Sequence, residues 1–143
     1  PHGPVGLSPS VPTTPNSIGH VGFAVAKNTP GLSLAKIKNA NGEFVAPSLA
    51  GVAKALAATT QNTDLTFDPL NAAGAGVYPI GTPTYVIVYK AQTDKVKGAL
   101  LQAYLNFVYT DGQDLAAEAN YSKLPDAFRT AAIAQLKTLV LPS

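Results

Sequence analysis

"VYPIGTPTYVIVYK", residues 77–90, sets a turn-forming Gly-Thr-Pro-Thr directly ahead of an uncharged β-branched and aromatic run. Val, Ile and Tyr fit a pleated surface, so 85–89 is expected as a strand. The glycines just before it, in "GAGVYPIG" at 74–81, pose a choice. Such a loop can cradle an anion, or it can carry the chain from one packed region into another. An anion loop draws much of its strength from a helix N-terminus. Here a strand follows instead, and the spacing is not Gly-x-Gly-x-x-Gly. An independent anion site is therefore disfavoured here.

Working outward, "LSLAKIK" (32–38) alternates apolar and basic residues, and Asn41-Gly42 is the strongest short hairpin signal. Strands are expected near 32–38 and 43–46. Ser48 is placed as the N-cap of a helix in which Leu49, Val52, Ala53 and Leu56 share a face. Residues 59–76 read as a long connection. Further upstream, "SIGHVGFAVA" (17–26) is apolar on both faces and reads as a buried strand. Five prolines lie within residues 1–17. Each fixes φ, so an irregular lead-in rather than a helix is expected there.

Downstream, Val96, Leu100, Ala103, Tyr104 and Phe107 define a helix, and Leu101, Leu105 and Val108 widen its apolar face. A helix apolar nearly all round is expected to be buried on more than one side. Gly112 breaks it, and a shorter helix is expected over about 113–119. Pro125 suits a first helical position, and Phe128, Ala132, Leu136 and Leu139 form a last amphipathic face.

The 143 residues suffice for one domain with a real core. Charged residues make up only 13%, against roughly 25% in ordinary soluble domains. Some apolar surface is thus expected to be covered from outside this chain. The net charge of +2 comes from scattered cations with no basic stripe, which argues against nucleic acid. No apolar run reaches the ~18 residues of a membrane span. The chain opens at Pro1 with no secretory leader, as expected of a processed or truncated product.

With no cysteine, thiolate nucleophiles, disulfides and Cys-based zinc sites are excluded. The two histidines, His2 and His20, form no His-x-x-x-His. His2 reads as a solvated terminal residue, and a packed strand role for His20 outranks a ligand role. Asp111, Asp114 and Glu118 suit a helix start, and their spacing is not that of a Ca²⁺ loop. Asp64 and Asp68 read as turn formers. Arg129 reads as a surface residue, and Tyr104, Phe107 and Tyr109 as core. Asn120-Tyr121-Ser122 fits a glycosylation sequon of low specificity. No catalytic triad, dyad or metal set emerges, so the chain is read as not an enzyme, with no catalytic, cofactor-binding or metal-binding residue and no cofactor.

Four stretches, in order, resemble the phosphate-binding substrate-binding proteins of bacterial ABC importers. "VPTTPNSIGHVGFAVAKN" is similar to that family's Thr-Pro-Gly-Ser-Ile-Gly-Tyr segment, with Asn16 and His20 replacing Gly and Tyr. "AKIKNANGEFVAPS" resembles the strand, Asn/Asp-Gly turn and Pro-Ser/Thr helix entry that follow. "YPIGTPTYVIVYK" resembles its crossover strand, and "ALLQAYLNFVYTDGQDLAAEANYSKLPDAF" its closing helices.

The resemblance implies an α/β, periplasmic-binding-protein-like (class II) fold of two lobes, of which this chain is the C-terminal part. Residues 1–17 are then a Pro-rich lead-in, 18–80 part of the second lobe, and 81–143 the crossover strand and helices packing on the first. It also implies an extracytoplasmic protein, in the periplasm or at the cell surface, and an importer permease as partner. Inorganic phosphate would bind only with the N-terminal part, or with another chain completing the fold. The family's contacts include a Ser-Gly-Thr that does not occur here, so no ligand-binding residue is assigned. The Pro-rich start departs from the helix usual at that point. The alternative is a non-transport binding or structural module on the same scaffold.

Overall fold

The computed structural model describes residues 3–143. Its elements in chain order are α1 (Gly3–Thr13), α2 (Phe23–Lys27), β1 (Ile37–Lys38), β2 (Phe44–Val45), α3 (Leu49–Ala57), α4 (Lys95–Tyr109), α5 (Gly112–Leu115) and α6 (Asp126–Leu136). The architecture is α/β but helix-rich. Among the described residues the only sheet is the antiparallel β1–β2 hairpin, pairing Ile37 with Val45 and Lys38 with Phe44. This is the hairpin expected around Asn41-Gly42, with shorter strands.

Ser48 caps α3 as expected. It holds an extended backbone, and its Oγ accepts from the Gly51 amide at 3.0 Å. Gly51, Ala55 and Leu56 are buried, and Gly51 lies against the returning chain at Tyr78. The Tyr78 amide donates to Gly51 O at 3.1 Å, and a Cβ on Gly51 would stand 3.0 Å from Tyr78 Cβ. Replacing Ser48 with alanine should lower stability by about 1 kcal/mol, read by urea denaturation, while Ser48→Asp should retain the cap.

In the last third, α4 packs on both α5 and α6. Leu105, Phe128 and Leu136 on these helices are buried, and Gln102 Nε2 donates to Leu136 O at 3.3 Å. Asp94 caps α4 by accepting from Lys97 N at 2.9 Å. Buried Gln113 donates to Val108 O and accepts from Leu124 N, tying α5 to the segment before α6. The tail returns as a parallel bridge, Ala91 to Val140. Beside it, a Cβ on Gly98 would meet Leu141 Cδ2 at 2.6 Å and Gln92 Cβ at 3.0 Å, so a larger residue there would have to displace these side chains.

Several expectations need correction. The Pro-rich lead-in is helical: α1 contains Pro9 and Pro12. Hydroxyls cover carbonyls near its end, Thr13 Oγ1 donating to Pro9 O and Ser17 Oγ to Val11 O. The departure from a preceding helix therefore disappears. The 17–26 stretch is not a strand. Residues 18–22 have no pairing partner, Ile18 is 90% exposed, and α2 begins at Phe23. Residues 85–89 likewise form no strand and have no pairing partner among the described residues, with Ile87 93% exposed. A strand requires a neighbour to accept its ladder, and none is present. Helix α5 ends at Leu115, short of 119, and Pro125 stands at the N-cap of α6 rather than inside it.

The α4 face is not buried on several sides. Val96, Leu100, Tyr104 and Phe107 are exposed, which also removes Tyr104 and Phe107 from the core. The total accessible surface is 9530 Å², whereas a compact monomer of 14.7 kDa would show about 6,900 Å².

Candidate functional site

The glycine loop lies between the hairpin turn and α3. Gly74 and Gly76 have φ of +140° and +67°, a region costly for other residues. The Gly76 amide donates to Glu43 Oε2 at 2.7 Å, and the Gly74 amide to Asn41 Oδ1 at 3.2 Å. Both donors that an anion would use are thus taken by oxygens of the hairpin. Lys54 Nζ donates to Ala75 O at 3.2 Å. The loop is a tie between hairpin and helix, with Glu43 standing where an external anion would sit.

Asn39 organises this tie. It is buried, and its Oδ1 accepts from the Asn41 and Glu43 amides, each at 3.0 Å. Its Nδ2 donates to Glu43 Oε2 at 3.0 Å and to Val77 O at 3.1 Å. Sequence reading missed both Asn39 and Glu43. The available signal was an Asn and a Glu flanking an Asn-Gly turn.

The Gly76 amide, then Asn39, hold the Glu43 carboxyl below the ordinary carboxylate range, with Lys54 adding a smaller pull. A depressed folded value means that this stability is present above the unfolded pKa and is lost as pH falls through the folded one. Glu43→Gln should therefore flatten the acid limb of the stability–pH curve, measured by thermal unfolding across acidic pH.

A second concavity, an open cleft of about 520 Å³, lies among α4, α5 and α6 and is lined by Tyr109, Asp111, Asp114, Asp126 and Arg129. Arg129 pairs with Asp126, and Lys123 with Asp114 at 2.6 Å. The Lys123 hydrogen bond, with its charge, lowers the Asp114 pKa. Arg129 is only partly a surface residue: its Nε is buried without a hydrogen-bond partner. Each cation is already engaged by a carboxylate, and uncompensated Asp111 repels an anion, so the cleft is poorly suited to phosphate.

The remaining candidates are dispersed. His20 is exposed in unpaired chain and has no packed strand role, while His2 lies outside the described residues. Asp64 and Asp68 do form turns, accepting from the Thr66 and Leu70 amides. Asp114 sits in the first turn of α5, but Asp111 makes no side-chain cap bond and Glu118 lies beyond the helix. Asn120 Oδ1 accepts from Lys27 Nζ at 3.1 Å. Among the described residues, no three His, Cys, Asp or Glu side chains gather to hold a metal ion. No helix there is long and apolar enough to cross a membrane.

Comparison with known proteins decides the family. A family model described as a PBP superfamily domain matches residues 5–112. The chain belongs to the PBP superfamily. It is also 29% identical over 126 residues to the phosphate-binding protein PstS of Xylella fastidiosa (strain Temecula1). That match covers 84% of this chain and 33% of the relative, so the chain spans about a third of the relative's length. The PBP superfamily match begins inside α1 and includes the hairpin, α3, the glycine loop, the crossover segment and α4. The helix-rich structure with its single hairpin is thus a partial PBP-like unit, and its relatives by name are binding proteins.

Proposed function

We propose that this chain is the C-terminal portion of an extracytoplasmic phosphate-binding protein feeding an ABC importer. Residues 18–80 belong to its second lobe, and 81–143 supply the crossover strand and the helices that pack on its first. The permease is its partner, and the phosphate contacts come from the N-terminal part or from a chain completing the fold.

The observation that carries this reading is the uncovered surface, more than a third above that of a compact chain of about 6,900 Å². The exposed large apolar side chains include Tyr85, Val86, Ile87 and Tyr89 on the unpaired segment and Val96, Leu100, Tyr104 and Phe107 along α4, the parts this reading packs on the first lobe. The name of the relative points to phosphate, and the occupied glycine loop agrees with ligand contacts lying elsewhere.

Calorimetric titration tests the proposal. The 143-residue chain should give no phosphate-binding heat, while a chain extended by a Ser-Gly-Thr-bearing N-terminal part should bind. Phosphate binding by residues 1–143 alone would refute the placement of the site. An extended chain that folds without binding phosphate would favour the non-transport module.

A further inference from the structure

Asn41 occupies an unusual position for a residue that is exposed at a hairpin tip. Its neighbour Gly42 has φ +82°, and a Cβ there would find only Lys38 Cε, at 3.8 Å. The space beside the Gly42 α-carbon is therefore open, and no side chain of residue 42 shields the 41–42 linkage. Asn41 Oδ1 accepts from the Gly74 amide at 3.2 Å. That bond polarises the side-chain carbonyl and is placed to stabilise an oxyanion formed upon it. Among the described residues Asn41 Nδ2 makes no hydrogen bond, so none of them retains the amide nitrogen as a leaving group. Of the eight asparagines, Asn41 alone precedes glycine.

We propose that Asn41 is a site of spontaneous covalent modification in the folded protein, with water as the co-reactant. The Gly42 nitrogen loses its proton to solvent and attacks Asn41 Cγ, forming an N–Cγ bond. The tetrahedral oxyanion is held by Gly74 N–H. It collapses, the Cγ–Nδ2 bond breaks, and ammonia departs, leaving a cyclic imide. Water then opens either carbonyl of that ring, giving aspartate or isoaspartate at position 41. No electrons are exchanged.

One feature opposes the attack: the Gly42 amide donates to Asn39 O at 2.9 Å. A single net hydrogen bond slows the step by roughly tenfold at most. The two products differ in consequence. Aspartate keeps the acceptor for Gly74 and adds charge to it. Isoaspartate inserts one methylene into the backbone between residues 41 and 42, which breaks the turn and the tie to the glycine loop. The site would thus age the joint between hairpin and loop without touching any ligand contact.

The test is peptide mapping by mass spectrometry of the chain incubated folded, and in parallel unfolded in urea, in mildly alkaline buffer. The expected result is conversion at Asn41 in the folded chain within about tenfold of the unfolded rate, with the other asparagines unchanged. Asn41→Gln should abolish it. Hydrogen exchange at the Gly74 amide should lose protection in the isoaspartate fraction and keep it in an Asn41→Asp variant. A folded-state rate lower than the unfolded rate by more than that factor, or first conversion at another asparagine, would overturn the proposal. None of these readouts depends on phosphate, so their outcome is independent of the importer reading.

Discussion

Phe128→Ala should remove about 3–5 kcal/mol of stability, the usual cost of emptying a buried phenylalanine site. Small domains have roughly 5–15 kcal/mol in all, so the variant should lie near its unfolding transition in water. Phe128 is 7% exposed, and its ring lies 4.8 Å from that of Phe67. Phe67 in turn meets Tyr85 edge-on at 5.8 Å. Tyr85 Oη also accepts from the Phe67 amide and donates to its carbonyl. These three rings join α6, the long connection and the start of the crossover segment. Urea denaturation should show a lower midpoint with unchanged slope. A loss below about 1 kcal/mol would mean that the ring cluster does not hold these regions together.

Asn39→Ala should cost about 3 kcal/mol. The substitution leaves the amides of Asn41 and Glu43 and the carbonyl of Val77 without their partner. A buried polar group left unpaired costs roughly 1–3 kcal/mol, and the exposed hairpin tip lets water repair part of the loss. Asn39→Asp should be no milder, because it exchanges a donor for a carboxylate oxygen facing Glu43 Oε2 at 3.0 Å. Denaturation gives the energy, and amide exchange at Gly76 reports whether the loop has come free. If Gly76 remained protected in Asn39→Ala, Glu43 alone would suffice as the clamp.

Elements whose signals are local were legible in the sequence. Asn41-Gly42 dictates its own turn, and Ser48 supplies an acceptor to its own helix. Asp64 and Asp68 close turns on residues two positions ahead. The segments read as strands at 17–26 and 85–89 fared differently, because a strand depends on a pairing neighbour, and among the described residues neither segment has one. The α4 stripe was correctly seen as apolar, yet Val96, Leu100, Tyr104 and Phe107 on it are exposed, because periodicity marks a face without saying what covers it. The prolines of α1 misled for another reason. Each removes a donor, but serine and threonine hydroxyls and packing against α2 hold the helix together. The Asn39–Glu43 clamp was hidden because its other half, Gly76, lies far along the chain, and no local pattern links the two. The family itself was readable from four ordered segments, none of which decides it alone.

The bridge between Ala91 and Val140 has a mechanical consequence. Lys90 O receives the Val140 amide, and the Gln92 amide reaches Val140 O, each at 2.9 Å. The helices α4 to α6 therefore leave and re-enter at one doorway, and the bridge closes them into a ring. A pull along the crossover segment loads this doorway in shear, across two parallel hydrogen bonds, before it reaches any helix. Movement of the segment ahead of Lys90 would thus swing the three helices as one body rather than stretch them.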